Sequence, residues 1–167
     1  MIVSISPLIA GLVGMSMACG LVAGVLLAFS DFVMKSLVAA HPAAGTQAMQ
    51  IINRKVYRSL FMLLFVGLIP VSLGLALVGA YFLDGPAQSS LVVAASLYVL
   101  GVFGVSAVGN VPMNQKLAAC ADGSEDAQAY WPAYANAWVL CNHVRWIAAL
   151  GATGCYMLAA LHLAQTS

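Results

Sequence analysis

The chain has 167 residues, of which 63% are hydrophobic and only 7% charged, with a formal net charge of +1. A water-facing domain carries about 25% charged residues, so a soluble globular fold is excluded and a polytopic membrane protein is the class that fits. The near-neutral balance also argues against nucleic acid as a partner.

No basic residue precedes the first apolar segment, so a cleavable secretory signal is not expected. The first predicted span covers about 7–38, with Ser6 as a cap and Pro7 at the first helical position. Gly20 and Gly24 in it form a small-xxx-small pair suited to close helix approach. It closes on FSDFVMK, where Asp31 and Lys35 stand at i,i+4 and can pair on one face. In the following loop, MQIINRKVYRSLF places Gln50, Asn53 and Tyr57 on one side of a short helix.

The second span is predicted at about 60–83, with Pro70 as a kink in its middle. A link of a few residues, DGPAQ, leads to a third span at about 89–109. Pro112 in NVPMN lacks an N–H and crowds the carbonyl of Val108, so the third helix is expected to break there. The amides of Asn110 and Asn114 then either cap the freed carbonyls or point into a shared cavity. The fourth span is predicted at about 128–163. Together these give an all-α, four-helix membrane bundle, read as one domain over residues 1–167.

Lys35, Arg54, Lys55, Arg58, Lys116 and Arg145 are the six basic residues, and all fall on the side of the two longer loops. The positive-inside rule puts that side in the cytoplasm of an inner or plasma membrane, with both termini outside. Helices one and four each exceed 30 residues, or roughly 45–55 Å, against about 30 Å of hydrocarbon. Both are therefore expected to extend on the cytoplasmic side. The polar side chains converge on the same side, whereas the opposite end offers little beyond Asp84, Gln88 and His162.

At 100° per residue, Trp131, Tyr134, Trp138, Asn142 and Arg145 form one stripe of helix four, with His143 well round from it near Asn136. The stripe reads either as an aromatic slot with polar fingers or as an interfacial aromatic anchor. Arg145 either stabilises an anion, snorkels to phosphate, or pairs with Asp31; His143 serves as a base or as an interhelical hydrogen bonder. The four cysteines, Cys19, Cys120, Cys141 and Cys155, are scattered without CxxC spacing, and no metal site is expected. Asp31 is the one acidic residue on a helix end of that side, which leaves a carboxylate-rich metal site without ligands.

The segments SDFVM, MQIIN, NVPMNQKL and a Trp followed by NHVR, in that order, together resemble the anthrone oxygenase family of small four-helix membrane proteins. The resemblance implies oxygenation of a flat aromatic substrate, with no established cofactor, and matches Asn110, Asn114, Trp138, Asn142, His143 and Arg145. On this reading His143 is the candidate base. Arg145 and Asn142 are oxyanion donors. Trp131, Tyr134, Trp138, Asn110, Asn114, Asn53, Gln50 and Asp31 bind an anthrone- or quinone-like molecule. No cofactor is expected; a haem held by His41 and His143 is the alternative, as is a non-catalytic subunit or binding module for haem, quinone or lipid. The expected partners are a lipophilic small molecule, the bilayer and, through the Gly20/Gly24 and Gly67/Gly74 stripes, a second copy of the chain.

Overall fold

The computed structural model describes residues 5–165, and within them the chain is helical apart from short connections. Helix α1 (Ile5–Ala28) passes through a π-helical turn (Phe29–Val33) into α2 (Met34–Ala39), making one rod. A sharp corner at His41 turns the chain into the short helix α3 (Pro42–Val56), followed by α4 (Leu60–Phe82). Helix α5 (Gly85–Ser96) continues through two π-helical stretches (Leu97–Gly104 and Ser106–Asn110) into α6 (Val111–Ala118), a second composite rod. The last helix, α7, runs unbroken over Glu125–Gln165.

Four of these rods are long and apolar enough to cross a membrane: Pro7–Ala39, Leu60–Phe82, Gly85–Ala118 and Glu125–Gln165. The fold is thus the all-α, four-helix membrane bundle that hydropathy implies. The third rod differs from expectation, because it does not break at Pro112. A π-helical turn lies directly before the proline, so the wider ring of hydrogen bonds absorbs the missing N–H without ending the rod. Asn110 accordingly makes no cap. At 33, 34 and 41 residues, rods one, three and four all exceed the hydrocarbon thickness, at about 50–60 Å against about 30 Å.

Rods one and three lie on either side of α7, while α4 packs chiefly on α5 and only lightly on α1. Close approach depends on small residues. Ala148, Ala149, Ala152, Ala159 and Ala160 are buried on α7, and a side chain at Gly101 would collide with Ala148. Gly109 lies equally tight on the Cys141 thiol. Across the other interface, the Ser16 hydroxyl donates to the Thr153 carbonyl at 2.9 Å. The two-residue link between α4 and α5 turns at Gly85, whose φ of 69° favours glycine.

Burial divides into two cores. The larger joins Leu12, Cys19, Val22, Leu91, Tyr98, Val102 and Tyr156 between the rods. The smaller lies at the basic end, where Met34, Met49, Leu117, Trp131, Tyr134 and Trp138 pack together. Asn142 and Arg145 sit on α7 just beyond Trp138, at the level where one core gives way to the other.

Gly101→Val is expected to destabilise the bundle by about 1–3 kcal/mol, because overpacking forces two rods apart. Gly67→Val, at a position with open space around it, is expected to leave thermal unfolding in detergent unchanged.

Candidate functional site

A cavity of about 620 Å³ opens between the two cores. Every rod contributes to its wall: Leu26 and Phe29 from the first, Asn53 and Tyr57 from the α3 region, Phe61 and Phe65 from α4, Ser106, Asn110 and Asn114 from the third rod, Trp138 and Arg145 from α7. The lining is mostly apolar. Val25, Val66 and Phe103, each on a membrane-spanning rod, rim it and are 40%, 47% and 39% exposed.

Arg145 is the one cation in the wall, and it is only 7% exposed. The guanidinium carbon lies 5.6 Å from the Phe65 ring centre and 5.9 Å from that of Trp138. Its Nε is buried without a hydrogen-bond partner. The carboxylates are occupied or distant. Asp31 pairs with Lys35 at 3.6 Å, as their spacing suggests, and not with Arg145, one of the alternatives for that guanidinium. Asp122 pairs with Arg54, Asp84 stands at the opposite end, and Glu125 and Asp126 are some 30 Å away along α7.

Behind the lining runs a polar network. The Asn53 amide donates to the Tyr134 hydroxyl at 3.3 Å, and that hydroxyl donates to Asn114 Oδ1 at 2.8 Å. Trp138 Nε1 donates to the same oxygen at 3.0 Å. These bonds use the Asn114 oxygen twice, and Asn114 is itself part of the cavity lining. The Asn110 amide donates to the Trp138 carbonyl at 3.1 Å, while its buried Oδ1 has no partner. The network therefore fixes Trp138 from both ends of its residue and leaves polar groups in an apolar chamber.

The Trp131-to-Arg145 stripe faces inward throughout, but its members do different things. Trp131 does not line the cavity; it stacks on Tyr134, with ring centres 5.5 Å apart, inside the smaller core. Tyr134 supports the wall from behind. Asn142 is fully buried between α7 and the first rod, where its amide donates to the Leu26 carbonyl at 2.6 Å and the Ser30 hydroxyl at 2.7 Å. Those bonds turn it away from the cavity, toward the start of the π-helical turn.

Gln50 is likewise not at the surface of the cavity. Its amide donates to the carbonyls of Leu117 and Cys120, and its oxygen accepts from Gly123 N–H. Both of its donors and its oxygen thus hold the end of α6 and the loop after it. This binds the loop, not a ligand.

His143 points the other way. It lies on the opposite side of α7, in a groove shared with Asp31, Lys35, Asn136 and Trp146, and its Nδ1 accepts from Trp146 Nε1 at 2.9 Å. The sequence grouping of His143 with Arg145 is thus separated by the helix itself, since adjacent side chains two positions apart diverge by about 200°. The walls of the main cavity contain no His, Cys, Asp or Glu. His41 is exposed at the α2–α3 corner. All four cysteines are free.

Tyr57, placed with Asn53 by the sequence, is also in the wall; Phe29, Phe61, Phe65, Phe103 and Ser106 join it, and none of these five stands out in the sequence. An aromatic residue in an apolar helix looks the same whether it faces lipid or a pocket.

The geometry defines a class: a four-helix membrane bundle with an apolar chamber and a buried, uncompensated cation. A family model described as anthrone oxygenase matches residues 61–155, more than half of the chain. The chain belongs to the anthrone oxygenase family. The match takes in α4 through most of α7, including Phe65, Asn110, Asn114, Trp138 and Arg145, whereas the SDFVM and MQIIN segments lie outside it. No curated protein and no solved structure matches the chain.

Two expectations separate scaffold from site. Gln50→Ala is expected to cost about 2–3 kcal/mol, because it orphans buried backbone groups, while Asp31→Asn, at an exposed ion pair, stays within about 0.5 kcal/mol; denaturant titration checks both. The Arg54 hydrogen bond holds the Asp122 carboxyl below its ordinary range. A depressed carboxyl anchors its loop at all pH values above the usual value near 4 and releases it as pH falls through the lower, folded one. A spin label at Ser124 is expected to stay immobile from pH 5 to 8 and to gain mobility below about pH 4, with Asp122→Asn abolishing the transition.

Proposed function

We propose that this protein oxygenates a flat, lipophilic aromatic compound of the anthrone type, bound in the chamber beside Arg145. The observation that carries this reading is the buried guanidinium between the Phe65 and Trp138 rings, with no carboxylate to neutralise it. A fixed positive charge in an apolar chamber favours a reaction that develops negative charge on oxygen. The family membership supplies the reaction class.

The substrate is an acidic carbon compound whose anion is delocalised onto an oxygen. That oxygen sits at Arg145, and the Asn114 amide is the second donor. The anion attacks dioxygen at its carbon, forming a C–O bond and a peroxide. Loss of the second proton from that carbon, with cleavage of the O–O bond, leaves a carbonyl and one molecule of water. One methylene and one dioxygen thus give one ketone and one water, and dioxygen is the only oxidant required.

In this proposal the substrate ionises under the influence of Arg145 and its proton leaves to solvent, a reading supported by the placement of the His143 imidazole in the other groove. The exposed apolar rim of Val25, Val66 and Phe103 supports entry of the substrate from the bilayer. The concentration of basic residues at the chamber's end supports a cytoplasmic location for it, with both termini outside.

Oxygen uptake and ketone formation with an anthrone, in protein reconstituted into lipid nanodiscs, test the proposal. Arg145→Met is expected to lower kcat/KM about 10²–10³-fold, as for loss of an oxyanion donor, and His143→Ala to leave it within about threefold. Binding without oxygen uptake would instead mark a ligand-binding module.

A further inference from the structure

We infer that the chamber selects the ionised form of its ligand, so that an aromatic oxyanion supplied by the ligand itself is the missing counterion of Arg145. This rests on the proposed aromatic site and goes further, because it specifies the charge state that is bound.

A buried charge is tolerated in an apolar surrounding only when it is paired and hydrogen-bonded. Arg145 is buried, its Nε has no partner, and none of the chain's five acidic residues reaches it. The titratable groups facing it are Cys141 on its own helix, Tyr98 from the third rod and Tyr134 from α7, with Tyr57 on the wall. All are thiols or phenols rather than carboxylates. The stretches of the first rod and of α4 that face the chamber are apolar. The two aromatic rings hold the cation in position by their faces but neutralise none of its charge.

The shape then narrows the anion. Phe29 and Trp138 stand with ring centres 5.8 Å apart and planes tilted by 50°, and Phe61 and Phe65 line the same chamber from α4. Such walls suit a planar ring system carrying one oxyanion. A fatty-acid carboxylate drawn from the bilayer has the same charge and an apolar body, and it is the other source of this chemistry.

The probe is 1,8-dihydroxyanthraquinone, a stable planar phenol whose visible spectrum reports its ionisation, titrated with nanodisc-embedded protein under nitrogen. Without dioxygen, the outcome is independent of whether turnover occurs. The ligand's phenol is expected to ionise at least one pH unit lower when bound to wild-type protein than in empty nanodiscs, a tenfold preference for the anion. Arg145→Met is expected to abolish that shift while still binding the neutral form, and Arg145→Lys to retain part of it. Arg145→Met is also expected to unfold at the same or a higher temperature than wild type without ligand, which separates loss of the charge from loss of the fold. A wild-type titration that matches empty nanodiscs, or an equal shift in Arg145→Met, overturns the inference. Tight binding of oleate with no measurable binding of the aromatic probe overturns the aromatic assignment.

Discussion

A chain that crosses a hydrocarbon layer must satisfy its own backbone polar groups, and every feature of this molecule follows from how it meets that demand. The rods remain helical through Pro70 and Pro132. Pro112 is accommodated by the π-helical turn ahead of it. Side chains then do locally what the ladder does elsewhere. Asn142 serves a carbonyl of the first rod, Tyr98 donates to the Phe65 carbonyl at 3.0 Å, and Asn110 serves the carbonyl of Trp138. Several buried polar atoms lack a partner, among them Asn110 Oδ1, Asn142 Oδ1 and Trp131 Nε1, and Arg145 differs from them in carrying a charge.

The chamber itself results from uneven packing. Glycine and alanine draw the first and third rods tightly onto α7, whereas α4 carries the bulky Phe61, Met62 and Phe65 into the wall of the chamber. Helix α4 is held by α5 at the far end and lies loosely against α1. Between the two cores the aromatic side chains therefore line a space instead of filling it. The network of Asn53, Tyr134, Asn114 and Trp138 braces the wall on the other side, so the cavity has one hydrogen-bonded polar face and one exposed apolar rim.

Helix α7 separates two environments. Arg145 faces the closed chamber, while His143 faces a groove with exposed charges and bonds to the indole of Trp146. Chemistry that needs a low dielectric belongs to the first side; an exchangeable proton in contact with water belongs to the second. The alternation of a buried and an exposed polar residue two positions apart lets one helix serve both.

Much of the fold was legible in the sequence because hydropathy and length are local properties. Four apolar runs, the short α4–α5 link, the Asp31–Lys35 pair and the inward stripe of α7 are read along a single helix, where periodicity fixes what shares a face. The site was legible only in part. Arg145, Asn110, Asn114 and Trp138 announce themselves as polar or amphipathic residues in apolar company, but the phenylalanines beside them carry no signal. Composition also could not tell the loop-binding amide of Gln50 from the cavity-lining amide of Asn53, three residues on in the same helix.

The sequence by itself determined which segments cross an apolar layer and which end gathers the charges, since both depend on transfer free energies summed residue by residue. Tertiary structure alone decided which polar side chains found partners, because that depends on the rotation and spacing of neighbouring rods. It gave Asn142 and Gln50 backbone groups to hold, turned His143 toward a different groove, and left Arg145 in an apolar chamber without a carboxylate.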